Sequence, residues 1–193
     1  MAKNPYVLNR RNVAIPDSPH GVDLDNEVIE GNLYGIESKI DGDLNMMDAQ
    51  IGGSVSLNDS EIHGAAYLKG IKVETLYSEN LKVEQTLTLE NAEFKEADLE
   101  CIEIGGSLNL SDICAESVSL IGAGIKYNLY LDKSNLEFLY LDDAAVGNLY
   151  LDGAKIEYVN YDELMCSSYS ISDTTQIPDD FRQYLESNFE RVK

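Results

Sequence analysis

The sequence predicts an all-β chain: a parallel β-solenoid of about six coils, closed at its C-terminal end by a capping helix. Three observations carry this reading. Over residues 129–161, Leu131, Leu136, Leu141, Val146, Leu151, Ile156 and Tyr161 recur every five residues. The residue two before each of them (Leu129, Ser134, Leu139, Ala144, Leu149, Ala154 and Val159) is apolar or small. The pattern also repeats at long range, because Met46, Leu68, Leu89, Leu110, Leu131 and Leu151 follow one another at steps of 22, 21, 21, 21 and 20 residues.

A period of five is neither helical nor simple strand alternation. In extended chain, residues i and i−2 point to the same side. If each unit forms one short face and then turns a corner, the next pair also points inward. Four such faces close a coil of about 20 residues, and coils stack through parallel hydrogen bonds at about 4.8 Å. The long-range columns stay pure enough for this. The second is Ile51, Val73, Phe94, Ala115, Leu136 and Ile156; the third is Leu57, Ser78, Leu99, Leu120, Leu141 and Tyr161; the fourth is Ile62, Val83, Ile104, Ile125 and Val146. The extra residue of the longer coils follows the fourth column, where Gly64, Gly105 and Gly106 suit a corner of positive φ or a bulge. Ser78 is the weakest inward position. Each buried Leu contributes about 1.5–3 kcal/mol relative to exposure, so the stacked columns supply a sufficient core.

This pattern resembles the pentapeptide-repeat family over residues 29–161. The matching motifs are DDAAV (142–146), DGAKI (152–156) and ENAEF (90–94), with Ala at i−2 and an apolar residue at i. The resemblance implies a right-handed quadrilateral β-helix. Many positions depart from the strict motif: i−2 is as often Leu, Val or Ile as Ala, and many steps are six residues. Hexapeptide-repeat coils of about 18 residues do not fit the register. Bactofilin-like filament proteins share the flavour of IDGDL and IGGSV, an alternative for the N-terminal third.

The chain reads as three parts: an irregular N-terminal cap (1–28), the solenoid (29–161), and a loop with a C-terminal helix (162–193). In the first part, Pro5, Pro16 and Pro19 break any long element. Its clusters Tyr6-Val7-Leu8 and Val13-Ala14-Ile15 are expected to cover the open first coil, and Lys3, Arg10 and Arg11 to pair with the acidic body. Residues 166–176 are Ser/Thr-rich and read as a loop. After Pro178, Asp179 and Asp180 favour a helix start, and Arg191 with Lys193 its end. Phe181, Tyr184, Leu185, Phe189 and Val192 line one face, which caps the last coil or forms a homodimer contact.

Composition limits function. The 35 acidic and 14 basic residues give a formal charge of −21, against about 2–8 in magnitude for a typical small domain. That argues against direct binding to nucleic acid or to an anionic membrane. Cys101, Cys114 and Cys166 show no metal-ligand spacing and suit a reducing cytoplasm. No signal-like or membrane-spanning apolar run occurs, so a cytoplasmic protein is expected. His20 and His63 lack ligand-spaced partners, the Gly pairs open no helix, and no nucleophile elbow appears, so no enzyme activity, no cofactor and no metal are expected.

The outward rows are the candidate site. Glu74, Glu96, Glu116, Glu137 and Glu157 follow the second column, and Asp59, Glu79, Glu100, Asp142, Asp143, Asp162 and Glu163 follow the third. They are expected to form one acidic edge. The resemblance implies a use for it, since some pentapeptide-repeat proteins resemble duplex DNA and bind DNA gyrase in its place. The expected function is therefore a non-enzymatic protein-binding module, an acidic DNA mimic whose partner is a basic DNA-binding protein such as a topoisomerase. The alternative is an inert structural or self-associating scaffold. Tyr67, Tyr77, Tyr130, Tyr140 and Tyr150 are expected to be exposed on two opposite faces. Tyr130 and Tyr150 beside Asp132 and Asp152 form the best contact patch.

Overall fold

The computed structural model describes residues 12–192. Within them the chain winds as a parallel β-solenoid. The expected columns are its core. Met46, Leu68, Leu89, Leu110, Leu131 and Leu151 are all buried, as are Ile62, Val83, Ile104, Ile125 and Val146. Ala115 and Tyr161 are half-buried and pack against the same cluster. Every strand pairing in the solenoid is parallel and joins one coil to the next, as in Leu44↔Ala66, Ala66↔Leu87, Leu87↔Leu108 and Leu108↔Leu129.

Faces one to four are named here after the columns. In the early coils each face is a strand of two or three residues, such as Glu61–Ile62 on face four and Thr75–Tyr77 on face three. From Cys114–Ser119 onward, strands of six or seven residues run continuously from face two to three or from face four to one. The other two corners, after columns one and three, stay tight throughout. Each places one residue in the left-handed region, two positions beyond the column residue. Among the described residues these are eleven non-glycines, including Asp48, Asp59, Asn80, Asn91, Asp112 and Asp143, and the glycines Gly70, Gly122 and Gly153. Asn, Asp and Gly tolerate this conformation best.

Of the two parts expected for Gly64, Gly105 and Gly106, positive φ or a bulge, the first is not theirs. None has positive φ. They are glycines because the coil beneath is too close for a side chain. A Cβ on Gly105 would lie 2.2 Å from the Glu84 carbonyl oxygen, and one on Gly106 would lie 2.7 Å from the Gln85 backbone.

The stack is longer than about six coils and overruns both expected boundaries. On face three it is eight strands deep, starting at Asn12–Ala14, which pairs with Asn32–Tyr34. Residues expected as an irregular cap thus form a first coil. Val13, Ile15, Val22 and Leu24 keep the inward positions, and Pro16 and Pro19 flank the one short segment between them, where Ser18 bridges Ile40. The cluster Tyr6-Val7-Leu8 and the basic residues Lys3, Arg10 and Arg11 lie outside the described residues. At the other end, Met165–Ser170 pairs with Ala145–Tyr150. The Ser/Thr-rich stretch is a coil because its hydroxyls bond to the coil before it: Thr175 Oγ1 donates to the Leu151 carbonyl at 2.8 Å and Ser168 Oγ to Asn148 Oδ1 at 2.7 Å.

The C-terminal helix, Asp179–Asn188, lies over the last coil. Phe181 and Leu185 are fully buried. The Tyr161 ring stands 5.0 Å from Phe181 and 4.8 Å from Tyr184, whose hydroxyl donates to the Leu164 carbonyl at 2.9 Å. Phe189 packs edge-on against Tyr184 at 5.6 Å. The face considered for a homodimer is thus occupied by the solenoid itself. The helix ends before Arg191, which instead sits in the strand Glu190–Arg191 paired to Ser168 and Tyr169. Its guanidinium donates to the Ile171 carbonyl at 2.7 Å. Lys193 lies outside the described residues.

Candidate functional site: the acidic rows

The acidic residues lie on two rows, not on one edge. Glu137 and Glu157 follow column two inside the strands Asn135–Tyr140 and Lys155–Asn160, and both are exposed. Asp142, Asp143, Asp162 and Glu163 occupy the tight corner at the far side of face three. Four residues of extended chain lie between Glu137 and Asp142, which places them at most about 17 Å apart. Between the rows stand Phe138, Tyr140 and Tyr158; the Phe138 and Tyr158 rings are 6.0 Å apart. The rows therefore flank an aromatic strip at the C-terminal end of face three.

The two rows are not equally available. At the N-terminal end of the first row, Lys95 Nζ lies 3.1 Å from Glu74 Oε1, and Lys72 pairs with Glu93 at 2.7 Å. The Glu74 carboxylate raises the Lys95 pKa. Glu116, Glu137 and Glu157 have no ion pair among the described residues. In the second row, Asp142 is half-buried, and its Oδ1 accepts a hydrogen bond from the Asp162 backbone N–H at 2.8 Å. Asp143 and Asp162 are exposed, and Asp143 is one of the left-handed corner residues.

The tyrosine–aspartate patch lies on face one, on the opposite side of the coil. Tyr130 and Tyr150 stack on each other at 4.9 Å and 22°, half-buried. The Tyr130 hydroxyl accepts from Asn128 Nδ2 at 2.6 Å, and Asn128 Oδ1 accepts from Asn148 at 2.8 Å. Asp132 Oδ1 accepts from the Asp152 N–H at 2.8 Å, and the Asp152 carboxylate accepts from Ser170 at 3.0 Å. Burial raises the Asp132 pKa; the Asp152 N–H opposes this and the Asp152 charge adds to it. Tyr67 and Tyr77 are exposed, whereas Tyr130, Tyr140 and Tyr150 are half-buried. The expected partner-binding residues are thus split between opposite faces, and one flat partner surface cannot touch both groups.

Two features were missed from sequence. One is the corner ladder, in which Asp132 and Asp142 spend a carboxylate oxygen on the next coil's backbone. Its signal is an Asp or Asn at the same corner position in successive coils, as at Asn58, whose Oδ1 accepts from the Glu79 N–H at 3.1 Å. The other is the Asn128–Asn148–Ser168 ladder. Cys101 and Cys114 are exposed, as their outward register implies. Burial pushes the Cys166 thiol up to about 12.

Among the described residues, no group of three or more His, Cys, Asp or Glu is placed to hold a metal ion. No helix among them is long and apolar enough to cross a membrane. The chain matches no protein-family model, no curated protein and no solved structure.

Proposed function

We propose that the protein is a non-enzymatic protein-binding module of pentapeptide-repeat type, which presents its acidic rows to a basic, DNA-binding enzyme in place of duplex DNA. The observation that carries this reading is the pair of acidic rows flanking face three. Two acids per coil of about 4.8 Å give about one charge per 2.4 Å of rod, against about one per 1.7 Å of duplex. The formal charge of −21 adds long-range steering toward a basic groove, which weakens as salt rises. The family placement is supported by four apolar columns and by half-coils of ten or eleven residues, each carrying one left-handed corner.

A pull-down from bacterial lysate at low salt tests the proposal. The expected result is retention of a DNA-binding enzyme that is released by duplex DNA. Retention that ignores both DNA and salt would overturn it. A second reading is favoured by the corner ladder and by the Glu74–Lys95 pair: the acids hold and solubilise an edge-rich rod that acts as an inert or self-associating scaffold. Under that reading nothing is released by DNA.

A further inference from the structure

Charge density alone gives no role to the aromatic strip at the C-terminal end of face three. Phe138 and Tyr158 are strand partners in adjacent coils, with ring centroids 6.0 Å apart. Tyr140 stands two residues on from Phe138 on the same face, its ring nearly parallel at 11° and 6.4 Å away. Tyr158 is 49% exposed, and Phe138 and Tyr140 are half-buried.

The stack does not require rings at these positions. One coil earlier the partners of Phe138 and Tyr140 are Ser117 and Ser119, and one coil before that they are Glu96 and Asp98. A cross-strand aromatic pair adds only about 0.2–1 kcal/mol to a sheet. The C-terminal helix takes its aromatic contacts elsewhere, since Phe181 and Tyr184 pack on Tyr161.

The charges beside the strip are of one sign. Phe138 follows the exposed Glu137, and Tyr158 follows the exposed Glu157. Tyr140 lies two residues before Asp142, on the side where Asp143, Asp162 and Glu163 are exposed. Toward the end of the rod, Asp180 accepts from the Tyr161 hydroxyl at 3.4 Å. The neighbouring cations are engaged elsewhere or lie on another face. Lys155 is on face two, where it bridges Gln176; Lys95 is held by Glu74 at 3.1 Å; and Arg182 donates to the Thr175 carbonyl at 2.9 Å.

Rings between carboxylate rows discriminate among cations. A guanidinium is planar and weakly hydrated, stacks on aromatic faces, and offers a carboxylate two parallel N–H bonds. An ammonium is a compact, strongly hydrated charge and gains less from a ring. We propose that Phe138, Tyr140 and Tyr158 form an arginine-recognition surface. Arginine side chains of a partner protein stack on the rings and turn their N–H groups to Glu137 and Glu157. This inference rests on the acidic rows being a binding surface, and adds that the surface prefers arginine to lysine.

The test is fluorescence anisotropy at about 150 mM salt with labelled oligoarginine and oligolysine of equal length. The parent is expected to bind oligoarginine at least about tenfold more tightly than oligolysine. Phe138→Leu with Tyr158→Leu keeps apolar side chains but no ring there, and should cut that ratio at least about fivefold while leaving oligolysine binding unchanged. Glu137→Gln with Glu157→Gln should weaken both probes. Circular dichroism melts verify folding, and Tyr158→Leu alone serves if the double ring variant unfolds. Equal affinity for the two probes, a ratio that persists in a folded ring variant, or no binding of either probe would overturn the proposal. Neither DNA nor an enzyme enters this assay. Equal affinities that both fall in Glu137→Gln with Glu157→Gln would therefore sink the arginine preference and leave the acidic rows a binding surface. A ring-dependent preference beside a pull-down that releases nothing to DNA would sink DNA mimicry alone.

Discussion

Ser78 sits in the third column between Leu57 and Leu99, where its neighbours in the stack are leucines. It is 1% exposed, and its Oγ has no hydrogen-bond partner. A buried hydroxyl left unsatisfied costs about 1–3 kcal/mol. Ser78→Ala removes that oxygen and leaves the rest of the side chain in place. The backbone bond from Ser78 N–H to the Asp98 carbonyl, at 2.8 Å, does not depend on the side chain. The expected result is a gain of about 1 kcal/mol, the low end of that range, because the lost atom also leaves a small void. For a chain of this size that is a rise in Tm of about 2–4 °C. Urea unfolding checks it through a higher midpoint at unchanged m-value. Ser78→Thr keeps the hydroxyl and should show no such gain. If Ser78→Ala lowers the midpoint, the hydroxyl has a partner and the column argument fails at that coil.

Other consequences follow from the same geometry. Gly105→Ala puts a methyl 2.2 Å from the Glu84 carbonyl oxygen; it should lower stability by at least about 2 kcal/mol by the same urea assay, as overpacking between rigid strands does. Gly153→Ala would bring its Cβ into ordinary contact, 3.5 Å from the Lys133 and Thr174 side chains, but at φ of 72°, so it should cost only about 1–2 kcal/mol, from backbone strain alone. Asp132 has its folded pKa raised by burial. The folded state therefore prefers the neutral acid, and the stability this group contributes is present below its ordinary carboxylate range and lost as pH rises through its raised value. Asp132→Asn keeps the oxygen that accepts from the Asp152 N–H. Its Tm should match the parent's near pH 3 and exceed it at pH 7; equal profiles at both would contradict the burial argument.

Much of the fold was legible because a β-solenoid writes its cross-section into the period of the chain. The column through Met46 and Leu151 could be read directly, since an inward position admits only apolar or small residues whatever the local sequence. The ends were harder. Val13, Ile15, Val22 and Leu24 keep the register, but Pro16 and Pro19 mask it. At the other end the inward Tyr169 and Ile171 are surrounded by Ser and Thr whose hydroxyls bond to the coil before them. Gly105 was read as a residue suited to positive φ or a bulge because sequence does not separate those needs from close approach by a neighbouring coil. The true left-handed corners fall on Asp48, Asp59 and Asn91, residues that looked like ordinary surface acids and amides.

The site was legible as composition but not as arrangement. Glu137 and Glu157 were placed correctly on the outside. That Asp142 and Asp132 hold the next coil's backbone depends on where a carboxylate points, which the register does not specify. The separation of Tyr130 and Tyr150 from Glu137 follows from assigning columns one and two–three to opposite sides of a four-sided coil.

The most direct test of the proposed function is a DNA-supercoiling assay with a purified type II topoisomerase. It compares this protein with the variant carrying Glu137→Lys, Asp142→Lys, Glu157→Lys and Asp162→Lys. The account predicts inhibition that weakens as duplex DNA or salt is raised and is lost in the variant, whose helix and core remain folded by circular dichroism. Inhibition that persists in the variant, or its absence from the parent at every concentration of DNA, would contradict the assignment of the acidic rows as a binding surface for such an enzyme.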